Sequence, residues 1–375
     1  MKVLIVGGGF SGLLLARLLG EHALVFEEHP RIGFPEHCTG LISYKTYLNL
    51  RIPQKLVEGS YKRLRINTPG MGVLEIKLKE PVFRVNRYGI EEYFYNEALS
   101  RGSRIILSRT VRNVNPFKCI VDEVKGELVI LAEGVKRYFS KRLGLVKRIN
   151  TYYSLQLRFK GRVHTDAIEV YVTKLSPNFF SWLIPLYDGE EGIIGVTSPH
   201  GKDLYLRLNI LLDTLTRSSL IDLKERKYYF GGVVSTGPLG TLGVGKLLAI
   251  GDTIGMNKPL SGGGLYPISV AASTLSNIIE EYFNGLLKGN EIVNEYKSRL
   301  RPLIRELNYS YIISKIIRLY DYKLLRTIVK GSTLLNTRNV FHEFEYDAHS
   351  MWVLRRIIGC NSLRIITMLL AGLLF

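Results

Sequence analysis

The run Gly7-Gly8-Gly9-Phe10-Ser11-Gly12 follows directly on the apolar residues Val3-Leu4-Ile5-Val6, and about twenty residues on, Glu27 follows a second apolar run, Ala23-Leu24-Val25-Phe26. These residue types at this spacing bind a dinucleotide. Gly7 permits a tight turn, Gly9 lets the backbone approach a pyrophosphate, Gly12 lets the next helix lie close to the sheet, and Glu27 accepts hydrogen bonds from an adenosine ribose. A second cluster, Gly251-Asp252 and then Pro259-Leu260-Ser261-Gly262-Gly263-Gly264, follows another apolar run at residues 246–250. Asp252 suits the hydroxyls of a ribityl chain. Gly262, Gly263 and Gly264, at the start of a helix, offer backbone N–H groups and a positive dipole end to an anionic ring edge. Two such signatures far apart in the chain suit FAD, long enough to be held at both ends, better than a nicotinamide. For acid chemistry the candidate is Cys38, which reads either as a proton-donating thiol or as a small buried hydrophobe.

The elements that must position these residues can be read from periodicity. Strand, glycine turn, helix over residues 13–19 and strand open the chain, and residues 28–43, rich in Pro and Gly, form an ordered loop. Alternation over residues 63–68 and 73–78, broken at Pro69-Gly70-Met71-Gly72, predicts a β-hairpin. Residues 88–101 read as a helix with Ile90, Tyr93, Phe94, Glu97 and Ala98 as its stripe and Gly102 as its stop; Arg87 stands just before it. Short strands follow at 104–107 and 128–131, then strand after strand over residues 152–197, then a helix at 265–282, and helices from residue 291 to the end. The fold class is therefore α/β: a Rossmann-type FAD-binding domain (1–50, 84–150 and 235–290), an inserted antiparallel β-sheet substrate domain (51–83 and 151–234), and a helical C-terminal region (291–375).

Composition bounds the partners. A chain of 375 residues with 46% hydrophobic and 22% charged content is globular, and no uncharged stretch is long enough to span a bilayer. Three scattered cysteines and seven histidines without ligand spacing predict neither disulfides nor a metal. Met1-Lys2 leads straight into the first strand, which predicts a cytoplasmic protein. The net charge of +18 suits an anionic membrane or a phosphorylated substrate, or is a solvated basic surface with Lys and Arg dispersed along the chain; without a recognised motif no nucleic acid is expected. At the C-terminus Arg355, Arg356 and Arg364 flank the apolar residues 365–370, which suit an interfacial helix on an anionic membrane or a helix packed on the core.

Three segments carry a resemblance: Pro35-Glu36-His37-Cys38-Thr39-Gly40, Gly251-Asp252-Thr253-Ile254-Gly255 with residues 259–264, and Phe180-Ser181-Trp182-Leu183-Ile184-Pro185. Over roughly the first 290 residues the chain resembles the geranylgeranyl reductase family, flavoproteins of the p-hydroxybenzoate hydroxylase fold. The resemblance implies reduction of isolated C=C bonds in isoprenoid chains, with an isoprenoid lipid or prenyl diphosphate as substrate. Cys38 and Gly40 would lie on the loop near the flavin, Arg87 would face the flavin, and Phe180, Trp182, Ile184 and Pro185 would wall the substrate channel. An external electron donor, NAD(P)H or ferredoxin, is expected because no second nucleotide fold is present. Ile184 stands where the family usually has Phe, Glu133 where the fold usually has Asp, and Thr253-Ile254 where a pair of small residues is usual. The Phe-x-Trp-x-Ile-Pro form is also similar to a motif of flavin-dependent halogenases. A monooxygenase or halogenase of the same fold, and a non-catalytic protein that binds flavin and lipid, are the alternatives.

Overall fold

The structure, a computed structural model, describes residues 2–319, 323–334, 344–348 and 350. The described residues divide into two compact units: residues 2–36, Asn86–Asn150 and Ser235–Tyr311 form the first, and His37–Val85, Thr151–Val234 and the described residues from 312 on form the second.

The first unit is built on a six-stranded sheet in the order Gly243–Val244, Leu247–Ala249, Leu128–Leu131, Val3–Val6, Ala23–Phe26, Arg104–Ile106. All neighbours are parallel except the short first pair. The strands Val3–Val6, Ala23–Phe26 and Leu128–Leu131 are buried at every residue, which is why they read as continuous apolar runs rather than as alternation. Helix Phe10–Leu19 packs against helices Arg87–Ser100 and Leu265–Phe283. Asn86 caps helix Arg87–Ser100, its side chain accepting from Gly89 N at 2.9 Å. On that helix Glu91, not Glu97, is the buried acid, because Glu91 pairs with buried Arg87 one turn earlier.

The second unit is built on an eight-stranded sheet in the order Ile221–Ser235, Thr151–Val163, Glu191–Ser198, Ser181–Leu186, Ile168–Tyr171, Val57–Thr68, Gly72–Val85, Leu41–Ser43. Most neighbours are antiparallel, while Ile168–Tyr171 runs parallel to Val57–Thr68. Helix Leu204–Arg217 covers one face with Leu208, Leu211, Leu212 and Leu215, one amphipathic stripe, against Leu157, Phe159, Leu183 and Ile194. The other face carries Tyr61, Leu78, Val82, Trp182, Ile184 and Phe230, with Phe180, Phe344 and Tyr346 packed against them.

Several boundaries differ from the sequence reading. Residues 37–50, expected with the nucleotide-binding part, belong to the second unit because Leu41–Ser43 pairs with Gly72–Val85. Residues 291–311, expected in a separate helical region, join the first unit, where Ile292–Arg299 packs on Leu265–Phe283 through buried Ile292 and Tyr296. Helix Leu204–Arg217 and strand Ile221–Ser235 were not anticipated as elements. The basic, apolar C-terminal segment 355–375 lies outside the described residues.

Candidate active site

In the first unit the glycine turn has the geometry its sequence predicts. Gly7 adopts φ 107°, and a Cβ there would run into the Ala132 carbonyl; one on Gly12 would strike the Gly7 carbonyl. Gly9 is different, since a Cβ on it would meet nothing within 4 Å, so the backbone at the mouth of the turn is open to a ligand. Gly9 is also the N-cap of helix Phe10–Leu19, and no side chain caps that helix end, which leaves the dipole of the helix directed at the same opening. Glu27 is 7% exposed and already takes three hydrogen bonds: Gly8 N at 2.6 Å on one oxygen, and His29 N at 2.9 Å and the His29 ring at 2.6 Å on the other. A carboxylate offers about four lone-pair sites, so Glu27 first fixes the glycine turn and has one acceptor position left for a ribose. Arg87 stands beside the turn, its guanidinium 4.7 Å from the centre of the Phe10 ring.

The second glycine cluster meets the first within this unit. A Cβ on Gly251, at φ 75°, would lie 3.0 Å from Ser11 Oγ on the first helix. Asp252 is fixed by Asn257, whose Nδ2 donates to its carboxylate at 3.0 Å, and its carbonyl accepts from Arg137 Nε at 2.7 Å. Burial holds the Arg137 guanidinium below its usual value, with Asp252 and Glu133 opposing that shift. Glu133 accepts from the backbone N–H groups of Phe139 and Ser140, at 2.9 and 2.7 Å, so the acid closes the start of helix Tyr138–Arg142. Residues 258–263 close into a loop: Lys258 N donates to Gly263 O at 3.0 Å and Gly262 N to Lys258 O at 2.8 Å, so the Gly262 N–H is spent inside the loop. Gly264 is the N-cap of Leu265–Phe283, again with no side-chain cap. Asn257 Oδ1 and Ser261 Oγ are buried without a hydrogen-bond partner among the described residues. Two orphaned polar atoms beside two uncapped helix starts fit a long, polar, anionic cofactor. Glu27, Glu28 and His29 also bring ligand atoms within 4.8 Å of one another; Glu27 and His29 bind each other, and Glu28 pairs with Lys136.

The second unit gathers Cys38 and the aromatic motif. Gln156, Gly195 and Trp182 are direct neighbours across three adjacent strands, so their side-chain positions share one face of the sheet. The indole of Trp182 lies down over Gly195, where even a Cβ would collide with it, and Gln156 at the end of that row grips the Cys38 loop. Thr39 Oγ1 donates to Gln156 Oε1 at 2.7 Å, and Gln156 Nε2 donates to the His37 carbonyl at 3.4 Å. Gly40 follows at φ 80°, and its carbonyl accepts from Val85 N at 2.9 Å. Phe180 stacks on Phe179 at 4.2 Å and meets Trp182 edge-on at 6.0 Å. Trp182 is 7% exposed, and its Nε1–H has no hydrogen-bond partner among the described residues. Ile184 is buried in the same apolar cluster, and the Pro185 carbonyl accepts from the hydroxyl of Tyr61.

No family model matches the chain. Sequence comparison nevertheless aligns most of it with named enzymes. It is 23% identical over 334 residues to the digeranylgeranylglycerophospholipid reductase of Methanocaldococcus jannaschii, covering 84% of each chain. It is 27% identical over 309 residues to digeranylgeranylglycerophospholipid reductase 2 of Methanopyrus kandleri, covering 74% of this chain and 76% of that one. Over most of its length the chain is thus similar to proteins named as digeranylgeranylglycerophospholipid reductases. The same fold is found in a geranylgeranyl bacteriochlorophyll reductase-like protein from Thermoplasma acidophilum, with a TM-score of 0.81 at 17% identity over 98% of both chains. It is found again in a flavin-dependent brominase, with a TM-score of 0.64 at 13% identity over 99% and 93% of the two chains.

The sequence did not disclose every residue that gathers at the Cys38 loop. Arg84, Glu58, Gln156 and Tyr346 converge on the Cys38 loop from distant parts of the chain. Tyr346 is placed by Phe344, whose backbone bonds Lys77 and Lys79, and by Asp347, which accepts from the Ser43 hydroxyl. Its hydroxyl is pushed up first by burial and then by the neighbouring Asp347 carboxylate. The alternation that predicts the hairpin stops at residue 78, short of Arg84, and no local signal marks Tyr346.

Proposed function

We propose that this protein is an FAD-dependent oxidoreductase that saturates C=C bonds of geranylgeranyl chains in archaeal membrane lipids or their precursors. The observation that carries this reading is the row Gln156, Gly195, Trp182, which sets a gripped thiol loop beside a buried aromatic wall with an orphaned indole N–H. Support comes also from the named reductases along most of the chain. Gly7, Gly9, Gly12 and Glu27 would hold the ADP half of FAD, and Asp252, Asn257, Gly263 and Gly264 its flavin half, with Gly262 closing the loop that presents them. Bound and reduced, FAD supplies a hydride. The chain supplies the proton: an unactivated alkene has no carbonyl to polarise, so the acid must sit at the alkene carbon, and Cys38 Sγ–H is that acid. Phe180 and Trp182 exclude water and face positive charge developing on the carbon chain with their ring planes. The basic surface would hold a phosphate headgroup or the anionic membrane face, and NAD(P)H or a ferredoxin would reload the cofactor.

Anaerobic incubation of the reduced protein with a geranylgeranyl lipid tests this reading. The expected product gains two hydrogens per bond by mass, and denaturation releases FAD rather than FMN. Hydroxylated or halogenated product formed only with O₂ would establish the monooxygenase or halogenase reading, which the brominase fold keeps open. Bound lipid with no turnover under either condition would leave a flavin-binding carrier.

A further inference from the structure

The Cys38 loop is held by one group whose charge the grip does not require. Arg84, 1% exposed, donates from Nε to the Thr39 carbonyl at 3.1 Å and forms an ion pair with buried Glu58. The Glu58 carboxylate also takes Arg158 Nη1 at 3.3 Å and the Tyr187 hydroxyl at 2.9 Å. Gln156 shows that a neutral side chain can grip the same loop, at Thr39 Oγ1 and at the His37 carbonyl. Burying a guanidinium to make one more bond to a carbonyl is far more costly than burying an amide, unless the charge has a use.

Its use follows from what lies one residue away. A cation beside a cysteine favours the thiolate, and a thiolate has no proton to give. Among the described residues the titratable and charged groups around Cys38 and the pair are Glu36 and His37 from its own loop, Arg84 and Glu58 from the hairpin, Arg158 with its second acid Glu191 behind Glu58, and Tyr346 and Asp347 from the segment packed at Ser43. Arg84 is the permanent cation bonded to the Cys38 loop itself, and Glu58 is the acid paired with it; Arg158, on the far side of Glu58, has Glu191 as a second acid.

We propose that Arg84 and Glu58 are positioning residues that work as a pair: Arg84 fixes the Thr39 carbonyl and so aims Cys38, while Glu58 cancels the guanidinium charge so that Cys38 keeps its proton. The proposal deepens the proposed function, in which Cys38 is the proton donor.

The test is the pH profile of iodoacetamide alkylation of Cys38 in the FAD-loaded protein, read by mass spectrometry of its peptide and needing no lipid substrate. Glu58→Gln should move the midpoint down by about one pH unit or more, because the cation is left uncompensated, and Arg84→Gln should move it up. A residue that merely braces the fold predicts the same direction for both, so shifts of one sign, or no shift in either, overturn the proposal. If a stranded charge prevents either single variant from folding, the double variant Arg84→Met with Glu58→Met decides. Its midpoint should return to that of the unaltered protein while alkene reduction falls at least tenfold. A displaced midpoint or full turnover in that double variant overturns the pair. Full turnover in Cys38→Ala would remove the donor role from Cys38, yet opposite alkylation shifts would still establish how the pair sets the thiol.

Discussion

Cys38, Trp182 and Gly195 have roles that single substitutions separate. Cys38→Ala should retain FAD and fold while alkene reduction drops about 10²–10⁴-fold, the range for a lost general acid, and unchanged turnover would return the thiol to a packing role. Gly195→Ala should act through Trp182. The added methyl enters the space of the indole, an overpacking cost of about 1–3 kcal/mol that a thermal melt would show as a lowered Tm. A variant as stable as the parent would mean that the indole can lift off the sheet. Cys38 and Trp182 were legible in the sequence because each sits in a short run of distinctive neighbours. Gln156 and Arg84 were not, since they act on Thr39 across 117 and 45 residues of chain, and nothing local in a strand residue says which loop its side chain will reach. The spacing from the glycine turn marks Glu27 as an acceptor for a ribose; in the structure it takes hydrogen bonds from Gly8 and from His29, two residues away, which the strand pattern gave no reason to single out.

At the level of elements, the parallel sheet was the easiest to read because its strands are short apolar runs each followed by a glycine turn and a helix. Helix Leu204–Arg217 was overlooked although Leu208, Leu211, Leu212 and Leu215 have helical spacing. It lies between strands, and a window tuned to alternation passes over a single helix laid on a sheet. Strand Ile221–Ser235 was hidden for a different reason: residues 224–229 are exposed one after another on an edge strand, so they show no alternation at all. The cap of helix Arg87–Ser100 offers a test at this scale. Asn86→Ala removes the acceptor for Gly89 N and should lower stability by about 0.5–2 kcal/mol, measurable by denaturant titration. The consequence should reach further than stability, because that helix carries Arg87 against Phe10 at the mouth of the glycine turn. FAD affinity should fall with it, and an unaltered affinity would show that Arg87 is fixed by Glu91 and the ring alone.

For the whole molecule, the composition foretold a charged, globular chain, and among the described residues no helix is long and apolar enough to cross a membrane. The distribution of titratable groups gives the protein a characteristic response to alkali. Tyr61, Tyr171 and Tyr296 all have hydroxyls pushed up by burial, and Tyr346 joins them. In the unfolded chain they ionise near pH 10 or so, whereas in the folded protein they hold their protons. The stability they share is therefore whole below about pH 10 and is lost as the pH climbs toward their folded values. Tm should stay level up to about pH 9 and fall steeply beyond 10. Tyr296→Phe, which removes one of these groups from the first unit, should make that fall shallower. A fall equally steep in the variant would place the alkaline transition elsewhere.

The indole laid flat over Gly195 is also a lamp inside the protein. The chain has two tryptophans, Trp182 and Trp352, and indole emission follows the polarity and hydrogen bonding of its surroundings. In the Trp352→Phe background every photon of tryptophan emission therefore originates beside the gripped thiol loop, from a ring that is 7% exposed and whose N–H has no partner among the described residues. An apolar chain entering along that wall should shift the emission to the blue, and an acceptor reaching Nε1 should shift it to the red. The colour of the light would then tell, without turnover and in a single cuvette, whether the tail or the polar end of a lipid comes to rest against the ring.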